Sequence, residues 1–421
     1  MKKKRKIKNY IIIAITMCFV FVLLVIFITN NSQKEIALNM SDWNSTDSNV
    51  NEIDYQNYWA TTNHNFCKAE NGYFFMGERC NSLCYWDSKS KKAMLLCGKP
   101  DCLHDNDKCN AYLGKGDYLP FTLYYYDHFL YALKMGSSGN AVLVQISEDG
   151  TSRKEICELL PAYRSNNIDL SFHDGKVYAY SHVMETRASE KTNTEYDALI
   201  LCADLSTGKV ETAHTYRGLN AVIQKGRCYS NKYLFIAQKM DKKIEEHTSA
   251  TKMLKSDGIY ALDYKTNEAE LLLSGDIYDY AVDEDNQELY YFLSGKGLYK
   301  TSFSGEDSRC IWKSDKYSEK CTISFDGKYI FLNNANWVST LDEDSRSKYL
   351  KITVIDTEGN KVDELPGRVV SYFGDEDFLF ANQISDSNPS GFEYIDKNEL
   401  GNHPEWKPIS DKSLAIELSY K

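Results

Sequence analysis

The chain has 421 residues, 43% of them hydrophobic and 13% aromatic, with a formal net charge of −11 at pH 7. That length and apolar content support a large core and set aside a disordered chain. Six cations stand in residues 1–9, so the rest carries 43 Lys and Arg against 60 Asp and Glu, a net −17. Such an acidic body argues against nucleic acid and anionic headgroups as main partners.

The chain begins with Lys2, Lys3, Lys4, Arg5, Lys6 and Lys8. Residues 10–29 follow without a charge. Twenty residues of helix span about 30 Å, the thickness of a bilayer's hydrocarbon core. The basic flank places residues 1–9 in the cytoplasm and everything beyond the span outside. No Ala-x-Ala follows the apolar run, so the expectation is an uncleaved signal-anchor rather than a removed signal peptide. Cys18 sits in mid-span behind bulky residues and reads as a membrane-buried thiol, not a lipidation site. Residues 30–55 are rich in Asn, Ser and Asp and read as a flexible tether. The folded ectodomain is expected from residue 56 to residue 421.

From about residue 70 one phrase recurs seven times: a polar turn followed by a Tyr/Phe-rich run, as in Asn71-Gly-Tyr-Phe-Phe, Asp174-Gly-Lys-Val-Tyr and Asp326-Gly-Lys-Tyr-Ile-Phe. Each is followed by a second run ending in Asp or Ser, such as Gly258-Ile-Tyr-Ala-Leu-Asp and Leu350-Lys-Ile-Thr-Val-Ile-Asp. A hairpin turn and a further short strand come next, as in Ser206-Thr-Gly-Lys and Val210-Glu-Thr-Ala. Gly and Asn supply positive φ at such turns, and Asp or Ser side chains bond the turn backbone. With a leading strand such as Tyr278-Asp-Tyr-Ala-Val, each unit is a four-stranded antiparallel meander of roughly 50 residues, the repeat of a β-propeller. The fold predicted is all-β, a seven-bladed propeller. Eight blades is the alternative, if residues 56–68 or Leu414–Tyr420 build a further unit; otherwise one of these segments completes the first or last blade. Asp127, Asp174, Asp285, Asp326 and Asp375 recur at the first turn of their units and read as hairpin chemistry, not as a catalytic ring.

The units differ in their connections between second and third strands. These are long at Met184–Asp197, Lys239–Asp257 (where a short helix is plausible) and Asn336–Lys348. In a four-stranded blade these connections leave on the same face as those between blades. Insertions gathered on one face mark a binding side.

On that side by the same logic lie Cys80 and Cys84, and the stretch Cys97-Gly-Lys-Pro-Asp-Cys102-Leu-His104-Asp-Asn-Asp-Lys-Cys109. Three cysteines and a histidine within 13 residues suit one tetrahedral ion, a structural zinc. Disulfides among these cysteines, with Cys80 and Cys84 as partners, are the competing reading for an exported domain, and free or catalytic thiols the third. Cys157, Cys202, Cys228, Cys310 and Cys321 read as small buried apolar residues of strands. Asp105-Asn-Asp107 lacks the later Gly and Glu of an EF-hand. There is no Gly-x-Ser-x-Gly elbow, phosphate-binding glycine loop or His-Glu-x-x-His, and Ser147-Glu-Asp-Gly-Thr151 lacks the Trp of a sialidase Asp-box.

The repeat, with units such as Leu289-Tyr-Tyr-Phe and Gly297-Leu-Tyr-Lys-Thr, resembles membrane-anchored extracytoplasmic propellers of Gram-positive bacteria, relatives of TolB-like and domain-of-unknown-function propellers. The run Lys99-Pro-Asp-Cys102-Leu-His104 with Cys109-Asn-Ala is similar to a Cys/His loop of such proteins. The resemblance implies binding and scaffolding and carries over no catalytic residue. The function expected is that of a single-pass, cell-membrane-tethered propeller with no cofactor, unless the Cys/His loop holds a structural zinc, binding an extracytoplasmic protein, peptide or glycan. The alternative is a glycan- or peptide-acting hydrolase or lyase using carboxylates of the central funnel.

Overall fold

The computed structural model describes residues 64–76, 82–114, 116–119, 122–161, 168–181, 195–241, 254–305, 307–340, 342–373, 377–382 and 391–409. The expected anchor over 10–29, the tether over 30–55, Cys18, Cys80, Asp375 and Leu414–Tyr420 lie outside them. Among the described residues no helix is long and apolar enough to cross a membrane.

Seven four-stranded antiparallel sheets follow one another along the chain, each pairing its strands in sequence order. Blade 1 is β1 (Phe66–Ala69), β2 (Gly72–Met76), β3 (Leu83–Asp87) and β4 (Lys92–Leu95). Blade 2 is β5 (Tyr124–Tyr126), β6 (Phe129–Met135), β7 (Asn140–Ser147) and β8 (Arg153–Pro161). Blade 3 is β9 (Ile168–His173), β10 (Lys176–Ser181), β11 (Glu195–Asp204) and β12 (Val210–Leu219). Blade 4 is β13 (Val222–Cys228), β14 (Lys232–Met240), β15 (Leu254–Asp263) and β16 (Ala269–Ser274). Blade 5 is β17 (Ile277–Asp283), β18 (Glu288–Leu293), β19 (Gly297–Ser302) and β20 (Arg309–Lys313). Blade 6 is β21 (Thr322–Phe325), β22 (Tyr329–Asn333), β23 (Lys351–Asp356) and β24 (Lys361–Pro366). Blade 7 is β25 (Val369–Tyr372), β26 (Phe378–Asn382), β27 (Phe392–Asp396) and β28 (Lys407–Pro408).

The eighth blade is therefore set aside. The described end of segment 56–68 becomes β1, the first strand of blade 1, and blade 7 takes its fourth strand from residues 407–408. Among the described residues the helical content is α1 (Ala335–Val338), α2 (Glu343–Tyr349) and one 3-10 turn, Lys397–Glu399. Both α-helices lie in the blade 6 connection, while most of the blade 4 connection, where a helix was plausible, is outside the described residues. That connection is also shorter than expected: Lys239 pairs with Lys255 and Gln238 with Ser256, so the hairpin continues beyond the bounds read from sequence. In blade 3 the strand likewise begins at Glu195, before Asp197.

Local chemistry explains the repeat. The last residue of a third strand caps its turn: Asp204 accepts the N–H groups of Ser206 and Thr207, Asp263 those of Lys265 and Thr266, and Asp356 those of Glu358 and Asn360. Gly258 lies within the third strand of blade 4 and Gly297 opens that of blade 5, at φ 139° and 134°. A Cβ at Gly297 would stand 2.1 Å from the Trp312 carbonyl oxygen, which is why the repeat reads Gly-x-Tyr there. Third and fourth strands slip register at bulges, for example between Ile200 and Leu201, Ile259 and Tyr260, and Val354 and Ile355. A bulge raises local twist and tilts the outer strand, so that blades nest as wedges.

Both faces of each sheet are apolar, and each is covered by a neighbour. Blade 1 packs on blade 7 through Phe66, Trp86, Phe378, Phe380 and Phe392, all buried. On its other face it packs on blade 2 through Phe74, Leu83, Leu130 and Val144. Tyrosines pin consecutive blades: the hydroxyls of Tyr124, Tyr126 and Tyr180 accept the N–H groups of Leu170, Gly175 and Gly226, and Tyr280 donates to the Lys225 carbonyl. Each pin lets a ring sit in the core while its hydroxyl finds a partner.

Candidate metal centre

The longest described connection between blades covers residues 96–123, between β4 and β5. It begins against its own blade: Leu96 N–H donates to the Leu83 carbonyl, and Leu83 N–H donates to that of Ala111. It then crosses to blade 2. Arg153 at the start of β8 donates to the carbonyls of Asn110 and Tyr112, and Asn110 donates to that of Asp149 in the β7–β8 turn. Its last part returns along β6, with Leu119 N–H on the Leu133 carbonyl and Met135 N–H on that of Asp117. The connection leaves the expected face but is anchored on the outer rim between blades 1 and 2.

Within it, Cys97, Cys102, His104 and Cys109 converge, their ligand atoms all within 4.8 Å of one another. Tight turns fold the chain back: Cys102 N–H bonds the Lys99 carbonyl at 3.3 Å and Cys109 N–H that of Asn106 at 3.0 Å. Pro100 and Asp101 fall in the first turn. His104 has φ 54°, a left-handed backbone that a non-glycine residue adopts only when its surroundings hold it there. This turns its imidazole inward, Nδ1 3.1 Å from Cys109 Sγ. His104 and Cys109 are buried, whereas Leu103 between the ligand candidates is 78% exposed.

The sulfurs carry backbone donors. The N–H groups of Lys99 and Asn110 point at the Cys97 sulfur, those of Ala111 and Tyr112 at Cys109. Burial works against ionisation of Cys97, but those donors with the Cys109 and Cys102 thiols outweigh it and hold its pKa below the ordinary thiol value. Burial pushes Cys109 up to about 12, with its neighbours Cys102 and Cys97 adding to the rise. Three sulfurs around one point cannot all be thiolates unless a cation stands among them.

The other cysteines are elsewhere. Cys84 was read as part of a connection; it is the second residue of β3, fully buried, on the sheet face that packs on blade 7. Successive side chains of a strand alternate faces, so Leu83 faces the Cys/His loop and Cys84 faces away from it. Cys67 is likewise buried in β1. Cys202, Cys228 and Cys321 are buried as expected, and Cys157 is half-buried. Cys310 is exposed, contrary to expectation, because β20 is the outermost strand of its blade.

The turn aspartates are structural where described. Asp127 and Asp174 sit at φ 47° in hairpins, and buried Asp326 accepts the N–H groups of Lys328 and Tyr329 and pairs with Lys397 at 2.8 Å. Sequence reading missed two buried polar groups on innermost strands. Asp279 lies 3.3 Å from Lys225 and 3.1 Å from Arg227 and accepts the Ile323 N–H, bridging blades 4, 5 and 6. Asp169 lies 3.1 Å from His64 Nε2 and accepts the Tyr180 hydroxyl at 2.8 Å. The signal was present for the first: Lys225 and Arg227 are charges inside an inner strand, where only a buried partner makes them tolerable. Arg153 gave none, since nothing local links it to residues 110–112.

No family model matches the chain, and no curated protein matches it. Solved structures do. A prolyl endopeptidase, from a study of two such enzymes and their inter-domain dynamics, aligns over 85% of this chain and 52% of its own, at 13% identity and TM-score 0.52. The acylaminoacyl peptidase of Pyrococcus horikoshii aligns over 87% and 55%, at 11% identity and TM-score 0.48. An oligogalacturonate lyase in complex with manganese aligns over 74% and 78%, at 10% identity and TM-score 0.46. The chain spans about half the length of the two peptidases. At such identities the likeness shows the fold alone, which is that of a seven-bladed β-propeller.

Proposed function

We propose that the chain is a membrane-tethered, extracytoplasmic propeller of the TolB-like kind seen in Gram-positive bacteria, and that it binds a protein, peptide or glycan. Residues 10–29 would hold it in the cell membrane with the N-terminus in the cytoplasm and the propeller outside. The supporting observation is the one-sidedness of its long connections. The ends of β4, β10, β14 and β22, after which residues 96–123, 182–194, 241–253 and 334–350 begin, all fall on one face by antiparallel order. Connections of this length on a rigid scaffold are where recognition residues accumulate. The acidic body favours a partner with basic character.

The alternative, an extracytoplasmic hydrolase or lyase acting on glycans or peptides, would draw on the inner strands. Asp169 is the buried carboxylate whose partners, an imidazole and a phenol, are themselves proton carriers. Binding is the better supported reading because Asp279, Asp326 and Asp169 are each engaged in buried pairs within the fold. The test uses the full chain in detergent against an envelope extract and a panel of glycans and peptides. Binding predicts saturable capture that falls at least tenfold when residues 242–253 are replaced by a short Gly-Ser linker, without turnover. Turnover abolished by Asp169→Asn, with capture unchanged by the linker, would overturn it.

A further inference from the structure

We infer that Cys97, Cys102, His104 and Cys109 bind one zinc ion through three thiolates and the His104 Nδ1, and that this ion is structural. The inference stands whatever the partner of the propeller is. Zinc–sulfur bonds of about 2.3 Å place the corners of a tetrahedron about 3.8 Å apart. The four donor atoms already lie within 4.8 Å of one another. Soft sulfur with one imidazole selects zinc over the hard cations, which take oxygen ligands. Four protein ligands leave no open position for a water or substrate, so the ion holds the fold and does no chemistry.

One further observation points the same way. A disulfide would join two of the three sulfurs and leave the third, together with an imidazole held inward by a left-handed backbone, without a reason to be there. Cys84, the described partner for a cross-link outside the loop, faces blade 7.

The ion's consequence is mechanical. The loop has little core of its own, and the sulfur cluster fixes Asn110 and Tyr112 where Arg153 grips them. It thereby sets one wall of a cleft of about 290 Å³ between the blades, lined by Asp107, Cys109, Tyr112, Asp117, Tyr118 and Arg153.

The test is metal analysis of the full chain purified in detergent without chelator or reductant, followed by exchange of the native ion for cobalt(II). One equivalent of zinc is expected, and the cobalt form should show ligand-field bands of a tetrahedral, thiolate-rich site. His104→Ala should lower zinc affinity at least tenfold, and His104→Cys should restore it as a four-thiolate site. Cys310→Ser should leave the stoichiometry at one. Where a loop variant fails to fold, stripping the unaltered chain with chelator and titrating zinc back reads the same site. No bound zinc with the loop thiols oxidised would overturn the inference, as would a stoichiometry unmoved by His104→Ala and Cys102→Ser.

Discussion

Blade 1 meets its two neighbours in different ways. Towards blade 7 it offers an aromatic wall: Phe66 stacks on Phe380 with ring centroids 4.6 Å apart, and Trp86 meets Phe378 edge-on at 4.8 Å. This seam closes the ring without strand exchange, since blade 7 draws its four strands from the end of the described chain and blade 1 draws its own from the beginning. Towards blade 2, the strands pack in the ordinary way, but residues 96–123 must also be fixed outside the sheets. Their later part buries Ala111, Leu113, Leu119 and Leu123, but over residues 97–109 the chain runs Gly-Lys-Pro-Asp and Asp-Asn-Asp-Lys, with little apolar area to bury. A compact donor cluster does what burial does at the seam. The lesson is that a propeller seam can rest chiefly on apolar contact, while a stretch of insertion without a core needs a cross-link.

The largest effect expected is at the seam. Trp86→Ala removes a fully buried indole and should cost about 3–5 kcal/mol in denaturant unfolding, the same with or without chelator. A loss under about 1 kcal/mol would mean that the aromatic wall does not close the ring. Cys109→Ser acts on the other region. The ring should stay folded by far-UV circular dichroism, while limited proteolysis within residues 97–114 quickens at least tenfold; cleavage spread evenly over all seven blades would erase the distinction between the two regions.

Smaller effects sharpen it. Lys91 pairs with Asp396 across the seam at 2.7 Å, but its side chain is 37% exposed, so Lys91→Ala should cost no more than about 1 kcal/mol and less at high salt. Asp149 and Asp204 are held down to about 2 by Ser147 and Ser206 hydroxyls and the turn N–H groups. A carboxylate depressed in the fold stabilises above its unfolded pKa and loses that contribution as pH falls through the folded value. The turns should thus hold above about pH 4 and loosen towards pH 2. Asp149→Asn should flatten that part of the acid profile and speed exchange of the Asn110 segment; an unchanged profile would remove the turn from the loop's support.

The repeat was legible because its chemistry is local. Turn aspartates, Gly258 and Gly297 and the aromatic runs each announce a strand or hairpin within a few residues. That Cys97, Cys102, His104 and Cys109 converge was legible too, because four candidate ligands within 13 residues need no tertiary knowledge. What lay hidden was non-local. The side that Cys84 takes was hidden, because which face of β3 meets blade 7 is set by the neighbouring blades and not by the strand's own residues. The grip of Arg153 on residues 110 and 112 and the bridge from Asp279 to Lys225 and Arg227 join segments tens of residues apart, and only the packing of consecutive units brings them together.

Hydrogen exchange read by mass spectrometry, on the full chain in detergent with and without chelator, tests the account most directly. It predicts that chelation strips protection from residues 97–119 and from the facing turn at 147–153, and leaves the strands at Phe66, Trp86 and Phe380 as slow as before. Loss of protection at that aromatic seam, or no change anywhere in the loop, would contradict it.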